Sequence, residues 1–117
     1  MKKLNYFECV QNEVIRMASP SPTCFMRIAD EDMQFVDIDL KKGTNVLIEP
    51  MANHFNEKYF PNPFEFNPER WTENKNAPVP FTFTGFLGGP RTCLGKHLAF
   101  LESKIVVVKL LRRYKKM

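Results

Sequence analysis

Phe86-Leu87-Gly88-Gly89-Pro90-Arg91-Thr92-Cys93-Leu94-Gly95 is the stretch on which the reading of this 117-residue chain turns. Two glycines and a proline pin a tight turn there and let backbone come close to whatever the turn faces. Cys93 follows where a helical pattern begins, and the orphan amides and positive dipole end of a helix start favour negative charge on its sulfur. Arg91, two residues earlier, adds positive charge and suits a carboxylate partner. The local physics is that of a sulfur surrounded by donors.

Working outward, a helix is expected after Gly95. Leu98, Leu101, Ile105, Val108 and Leu111 recur at helical spacing as its buried stripe, widened by Val106, Val107 and Leu110. Before the cysteine loop, residues 52–85 hold Pro61, Pro63, Pro68, Pro78 and Pro80 among many Phe and Asn, with no sustained period. An irregular segment of that length is usually functional. From Thr23 to Met51 short strands are expected, with Met33 and Phe35 in one run, Val46 and Ile48 in another, and Lys42-Gly43-Thr44 turning between them. Residues 3–17 read as an amphipathic helix through Leu4, Phe7, Val10, Val14 and Met17, stopped by Pro20 and Pro22.

Composition narrows the class. The chain is one domain at most, and its 44% hydrophobic content with eleven Phe is that of a folded protein. The net charge of +4 sits largely in Arg112, Arg113, Lys115 and Lys116, a solvated helix terminus that complements the dipole. No aromatic interleaving marks a nucleic-acid surface. Cys9, Cys24 and Cys93 leave one cysteine over in any disulfide scheme, which points to a reducing, intracellular setting. No apolar run approaches the roughly 20 residues of a membrane span, so any membrane anchor is expected upstream, outside this chain.

On local physics alone Cys93 can be a nucleophile, a zinc ligand, a haem ligand or an inert buried thiol. The order of residues adds more. Phe86, Gly89, Arg91, Cys93 and Gly95 match the F-x-x-G-x-R-x-C-x-G pattern of the cytochrome P450 superfamily, with Ala99 at a further position where that family often has alanine. Glu13 and Arg16 form E-x-x-R on one helix face, and Asn67-Pro68-Glu69-Arg70-Trp71 resembles the family's P-E-R-F/W element. Met26-Arg27-Ile28-Ala29, Lys42-Gly43-Thr44, and His54 with Phe60-Pro61-Asn62-Pro63 resemble further family segments in the same order. The chain thus resembles the C-terminal haem-ligand portion of a cytochrome P450 over residues 1–117.

That resemblance implies a mainly α fold with small β-sheets (α+β), a partial cytochrome P450 fold of helix, short strands, proline-rich meander, cysteine loop and helix. It implies haem b with Cys93 as the axial iron ligand and Phe86, Gly89 and Gly95 shaping the loop. Arg27 and Arg91 become the candidate propionate partners, and Glu13, Arg16 and Arg70 a triad bracing the haem pocket. For the intact enzyme it implies oxygen insertion into an apolar organic substrate. Electrons would come from a redox partner such as an NADPH-dependent reductase, whose acidic surface would dock near Lys96. The family's oxygen-handling helix is not among these residues, so no catalytic residue is expected in this chain and the polypeptide alone is expected to be inactive. A different class of function is a non-catalytic module that keeps the loop to hold haem or another protein.

Two positions depart from the family pattern, Leu87 where a small residue is usual and Gly85 where proline is frequent. His54 is expected to be a structural hydrogen-bonding residue, and Cys9 and Cys24 small core residues. His97 stands four residues after Cys93, a spacing zinc can use, but a zinc site needs two more ligands and only the scattered Cys9, Cys24 and His54 are on offer.

Overall fold

Helix α1 spans Lys2–Met17 and ends where Ala18 N–H donates to Val14 O at 2.7 Å, just short of Pro20. The computed structural model describes residues 2–21, 25–72 and 79–114; Pro22, Thr23, Cys24, Pro78, Lys115, Lys116 and the side chain of Leu4 lie outside them. Strands β1 (Phe25–Ile28), β2 (Met33–Phe35), β3 (Ile38–Leu40) and β4 (Asn45–Ile48) follow. They form two antiparallel pairs, with β2–β3 as a hairpin set inside the β1–β4 pair, Phe25 opposite Ile48 and Met33 opposite Leu40. Lys42 and Gly43 form the expected turn, where Gly43 takes φ +86° and so meets the demand that only glycine meets cheaply. Its amide and that of Thr44 are held by Ala29 O and Lys41 O, and buried Ala29 bonds back to Thr44 O.

The proline-rich stretch is not wholly irregular. Helix α2 (Met51–His54) starts on Pro50, and a single 3-10 turn, Pro68–Trp71, is capped by Asn67, whose side chain accepts from Glu69 N–H at 3.0 Å. Proline at the first helical position removes an amide that would otherwise be unpaired. A second 3-10 turn, Gly89–Arg91, leads to Gly95 and helix α3 (Lys96–Arg113). The described cation run, Arg112 and Arg113, is exposed in the last turn of α3, with Arg113 against the Tyr114 ring.

The expected buried stripe of α3 is corrected by the structure. Leu98, Leu101, Ile105, Val106, Val108, Leu110 and Leu111 are all exposed, Leu111 at 68%. The face turned to α1 is instead Phe100, Ser103, Lys104 and Val107, spaced i, i+3, i+4, i+7. Gln11 Nε2 donates to Ser103 Oγ and to Phe100 O, and Lys104 pairs with Glu8. Periodicity identified an apolar face correctly, but nothing among the described residues lies over it.

α1 shows a similar inversion. Its apolar positions Phe7, Val10 and Met17 are half-buried and Val14 is exposed, whereas Cys9, Glu13 and Arg16, at i, i+4 and i+7, are buried. The largest fully buried side chains are Arg16, His54 and Glu13. A radius of gyration of 17.6 Å exceeds the roughly 13 Å of a compact chain near this length. The molecule is elongated around a small polar centre.

Candidate functional site

The cysteine loop closes on itself. Leu87 N–H donates to Thr84 O at 2.8 Å, and Cys93 N–H donates to Phe86 O at 2.9 Å. Thr92 bonds Gly89 O through both its amide and its hydroxyl, at 3.1 and 2.8 Å. The Phe86 ring rests against Phe100 of α3, 5.4 Å between centroids, which ties the loop to the helix it precedes. Cys93 is exposed two residues before Gly95, the residue that opens α3. A Cβ on Gly95 would stand 3.7 Å from Cys93 Sγ, so glycine there keeps one flank of the sulfur bare.

Both departures from the family pattern have visible consequences. Leu87 takes φ +61°, a left-handed conformation that costs a non-glycine residue about 1 kcal/mol. Gly85 has no room for a side chain, since its Cβ would lie 2.3 Å from Ile15 Cγ2. Gly89, at φ +65°, answers a backbone demand rather than a steric one, as a Cβ there would meet nothing within 4 Å.

Arg27, on β1, and Arg91, in the cysteine loop, line one open recess of about 450 Å³. Both are exposed, and Arg27 Nη1 donates to Met26 O. The strand pair and the loop therefore bring to one place two guanidiniums that lie 64 residues apart in sequence (91 − 27). A forked guanidinium is suited to a carboxylate. An accessible sulfur, a bare glycine flank and two cations fit haem, an iron-bearing flat ring with two carboxylates.

Glu13, Arg16 and Arg70 meet in one network. Arg16 grips the Glu13 carboxylate through Nε and Nη2 at 3.0 and 2.9 Å, and Arg70 Nε donates to Glu13 Oε1 at 3.0 Å. Arg16 Nη1 then reaches His54 O and Pro63 O at 2.8 and 2.7 Å, while Arg70 Nη1 reaches Pro61 O at 3.0 Å. Burial pushes the Glu13 carboxyl up, but Arg16, the Asn67 amide and the Trp71 indole together hold it below its ordinary value. Rings of Phe55 and Phe60 flank the Arg16 guanidinium at 5.7 and 5.4 Å. A buried ion pair is a doubtful source of net stability, yet removing one partner leaves the other uncompensated. Its evident effect here is to hold the carbonyls of the proline-rich segment in fixed places.

Trp71 was not read from the sequence as a partner of Glu13, whereas His54 is the structural hydrogen-bonding residue expected. Trp71 Nε1 donates to Glu13 Oε2 at 2.8 Å, and the Trp71 ring packs on Phe83 and Phe60. His54 is fully buried and accepts the Thr84 amide on Nε2 at 3.1 Å. The tryptophan's place after Arg70 was a usable signal; the histidine's partner, 30 residues away, had none. Cys9 is buried, donates to Asn5 O at 3.3 Å, and has its thiol pKa raised, chiefly by burial. His97 is exposed on α3. Among the described residues no three His, Cys, Asp or Glu side chains gather as a metal site would require, and no helix is long and apolar enough to cross a membrane.

The cytochrome P450 family model matches residues 1–116. "Cytochrome P450 4V2" of Homo sapiens is 40% identical over 115 residues, covering 97% of this chain and 22% of that protein. "Probable cytochrome P450 4d21" of Drosophila melanogaster is 34% identical, covering 96% and 22%. Among solved structures, retinoic acid-bound cyanobacterial CYP120A1 superposes with a TM-score of 0.84 at 34% identity, over 95% of this chain and 26% of that one. An abiraterone-bound zebra fish cytochrome P450 gives 0.79 at 34% identity, over 92% and 25%. The chain spans under a quarter of the length of the curated relatives it matches.

Proposed function

Because the chain belongs to the cytochrome P450 family, we propose that it supplies the thiolate side of a haem monooxygenase, with Cys93 as the axial iron ligand. The observation that carries this is the closed loop from Phe86 to Cys93, which presents an accessible sulfur just ahead of α3. Thiolate-ligated haem, when bound, supplies the chemistry that activates oxygen for insertion into an organic substrate. The chain's own residues do the holding. Arg27 and Arg91 would receive the two ring carboxylates. Gly89 gives the loop its left-handed turn and Gly95 keeps one flank of the sulfur bare, and Phe86 packs the loop on α3. Glu13, Arg16 and Arg70 act at a distance by fixing the proline-rich segment.

Oxygen activation requires a preorganised pocket that excludes water, and the residues assigned here to hold the haem, Cys93, Arg91 and Arg27, are all exposed. This polypeptide by itself is therefore a haem-binding piece without monooxygenase turnover, and no catalytic residue is assigned within it. In the intact enzyme the substrate would be an apolar organic molecule. A reductase-type redox partner would approach the exposed Lys96 side of the cysteine loop.

Haem reconstitution tests the ligand assignment. The reduced, carbon monoxide-bound complex of the wild-type chain should show the strongly red-shifted Soret band of a thiolate ligand, and Cys93→Ala should lose it. An unshifted band in the wild type would assign the iron to another ligand. Product formation by the isolated chain with a purified reductase would overturn the claim of inactivity.

A further inference from the structure

His54 sits where the buried ion network and the approach to the cysteine loop meet. On one side its carbonyl accepts from Arg16 Nη1 at 2.8 Å, and Arg16 is clamped on Glu13. On the other its Nε2 accepts from Thr84 N–H at 3.1 Å. Thr84 O in turn accepts from Leu87 N–H at 2.8 Å, and Phe86 O accepts from Cys93 N–H at 2.9 Å. The imidazole is fully buried, with the Phe83 ring at 5.3 Å and the Phe60 ring at 6.4 Å. Among the described residues Trp71 makes a second link by ring packing, since it donates to Glu13 and lies on Phe83, 4.7 Å between centroids. His54 makes the link by hydrogen bonds at both ends.

We infer that His54 is the positioning residue that fastens the cysteine loop to the buried Glu13–Arg16 pair, and that it does so only as the neutral imidazole with Nε2 unprotonated. An amide N–H cannot donate to a nitrogen that already carries a proton. The inference rests on the haem-thiolate reading only for what the loop is for; the fastening itself concerns the protein without haem.

The surroundings support a neutral ring. Burial lowers the pKa of His54 below its ordinary value. The Arg16 backbone on α1 opposes that, the Arg16 charge lowers the pKa further, and the charge of Glu49, in the turn before α2, raises it; burial outweighs the two opposing effects. Glu13 stands behind Arg16, and Phe60 and Phe83 bring no charge. With the tautomer assigned by Thr84, Nδ1 carries the proton and makes no well-formed hydrogen bond among the described residues, with the Arg16 backbone nearby as a weaker interaction. A second proton would therefore remove the one acceptor without supplying a new donor contact.

Amide hydrogen exchange on the full chain without haem, corrected for intrinsic rates, tests this at Thr84 and Cys93, with α1 amides as the internal control. His54→Leu removes the acceptor and should speed exchange at both sites by about tenfold or more, with α1 changed by less than about twofold. His54→Gln offers a carbonyl of similar reach and should restore most of the protection. On acidification from neutral pH, wild-type protection at Thr84 and Cys93 should fall in a step that His54→Gln lacks. Unchanged exchange in His54→Leu overturns the inference, as does an identical acid step in wild type and His54→Gln. Should His54→Leu lose protection throughout the chain, the acid comparison of the other two proteins decides, since it needs no variant without an acceptor.

Discussion

Trp71 Nε1 donates to Glu13 Oε2 at 2.8 Å, which places an indole on a carboxylate already held by Arg16, Arg70 and the Asn67 amide. A donor to a charged acceptor is worth more than one to a neutral acceptor. Trp71→Phe keeps a ring against Phe83 and Phe60 but deletes that donor. It should lower the unfolding free energy by about 1.5–3 kcal/mol, read from the urea midpoint at neutral pH. A loss no larger than that of a surface substitution would show that the two arginines satisfy Glu13 unaided.

Acid should lower the stability of the fold across two pH windows. The Glu13 pKa is lowered on folding, so its contribution is complete above the ordinary glutamate value of about 4.3 and disappears as pH falls through the lowered folded value. The His54 pKa is also lowered, so the neutral fold begins to lose stability at higher pH, as pH drops below the ordinary histidine value of about 6.5. The urea midpoint of the wild type should decline across both windows, and that of His54→Gln only across the lower one. Asp32 is another lowered carboxyl, through Lys41 and the Lys42 amide, but it is exposed. Asp32→Asn should keep both declines; loss of the lower one would reassign it to the hairpin.

Gly85 explains one departure from the family pattern by packing. Its missing Cβ is occupied by Ile15 Cγ2 from α1, and Ile is stiff at χ1, so the methyl has little freedom to withdraw. Gly85→Ala should destabilise by about 1–3 kcal/mol through overpacking. In an Ile15→Ala background the same change should cost markedly less, because the opposing methyl is gone. Equal costs in the two backgrounds, measured as a double-mutant cycle, would rule out this contact as the cause.

The contrast between what was and was not legible follows from the range of each signal. α1, the Lys42–Gly43 turn and α3 were readable because helix period and turn chemistry are local. The cysteine loop was readable because its residue types are fixed by close backbone approach. Burial was not readable from local pattern. Glu13 and Arg16 alone look like an exposed i,i+3 pair, and only the family resemblance joined them to Arg70. Trp71, also more than 50 residues away, was not foreseen on Glu13. The β1–β4 pairing across a nested hairpin, and the link from His54 to Thr84, are likewise long-range closures that no window of sequence contains. α3 shows the converse, where a clear apolar period describes a face that the described residues leave bare.

That bare face yields the last expectation. Ile105 is 46% exposed on α3 and takes no part in the contacts that Gln11 and Glu8 make with Phe100, Ser103 and Lys104. A charged residue there removes exposed apolar area without opening a cavity. Ile105→Lys should leave the unfolding free energy within about 0.5 kcal/mol of wild type while reducing concentration-dependent self-association, measured by light scattering or sedimentation. By contrast, Val107→Lys, on the face toward α1, should destabilise clearly. A large loss from Ile105→Lys would mean that the apolar stripe is covered in solution, as its periodicity first suggested, and that α3 packs through both faces.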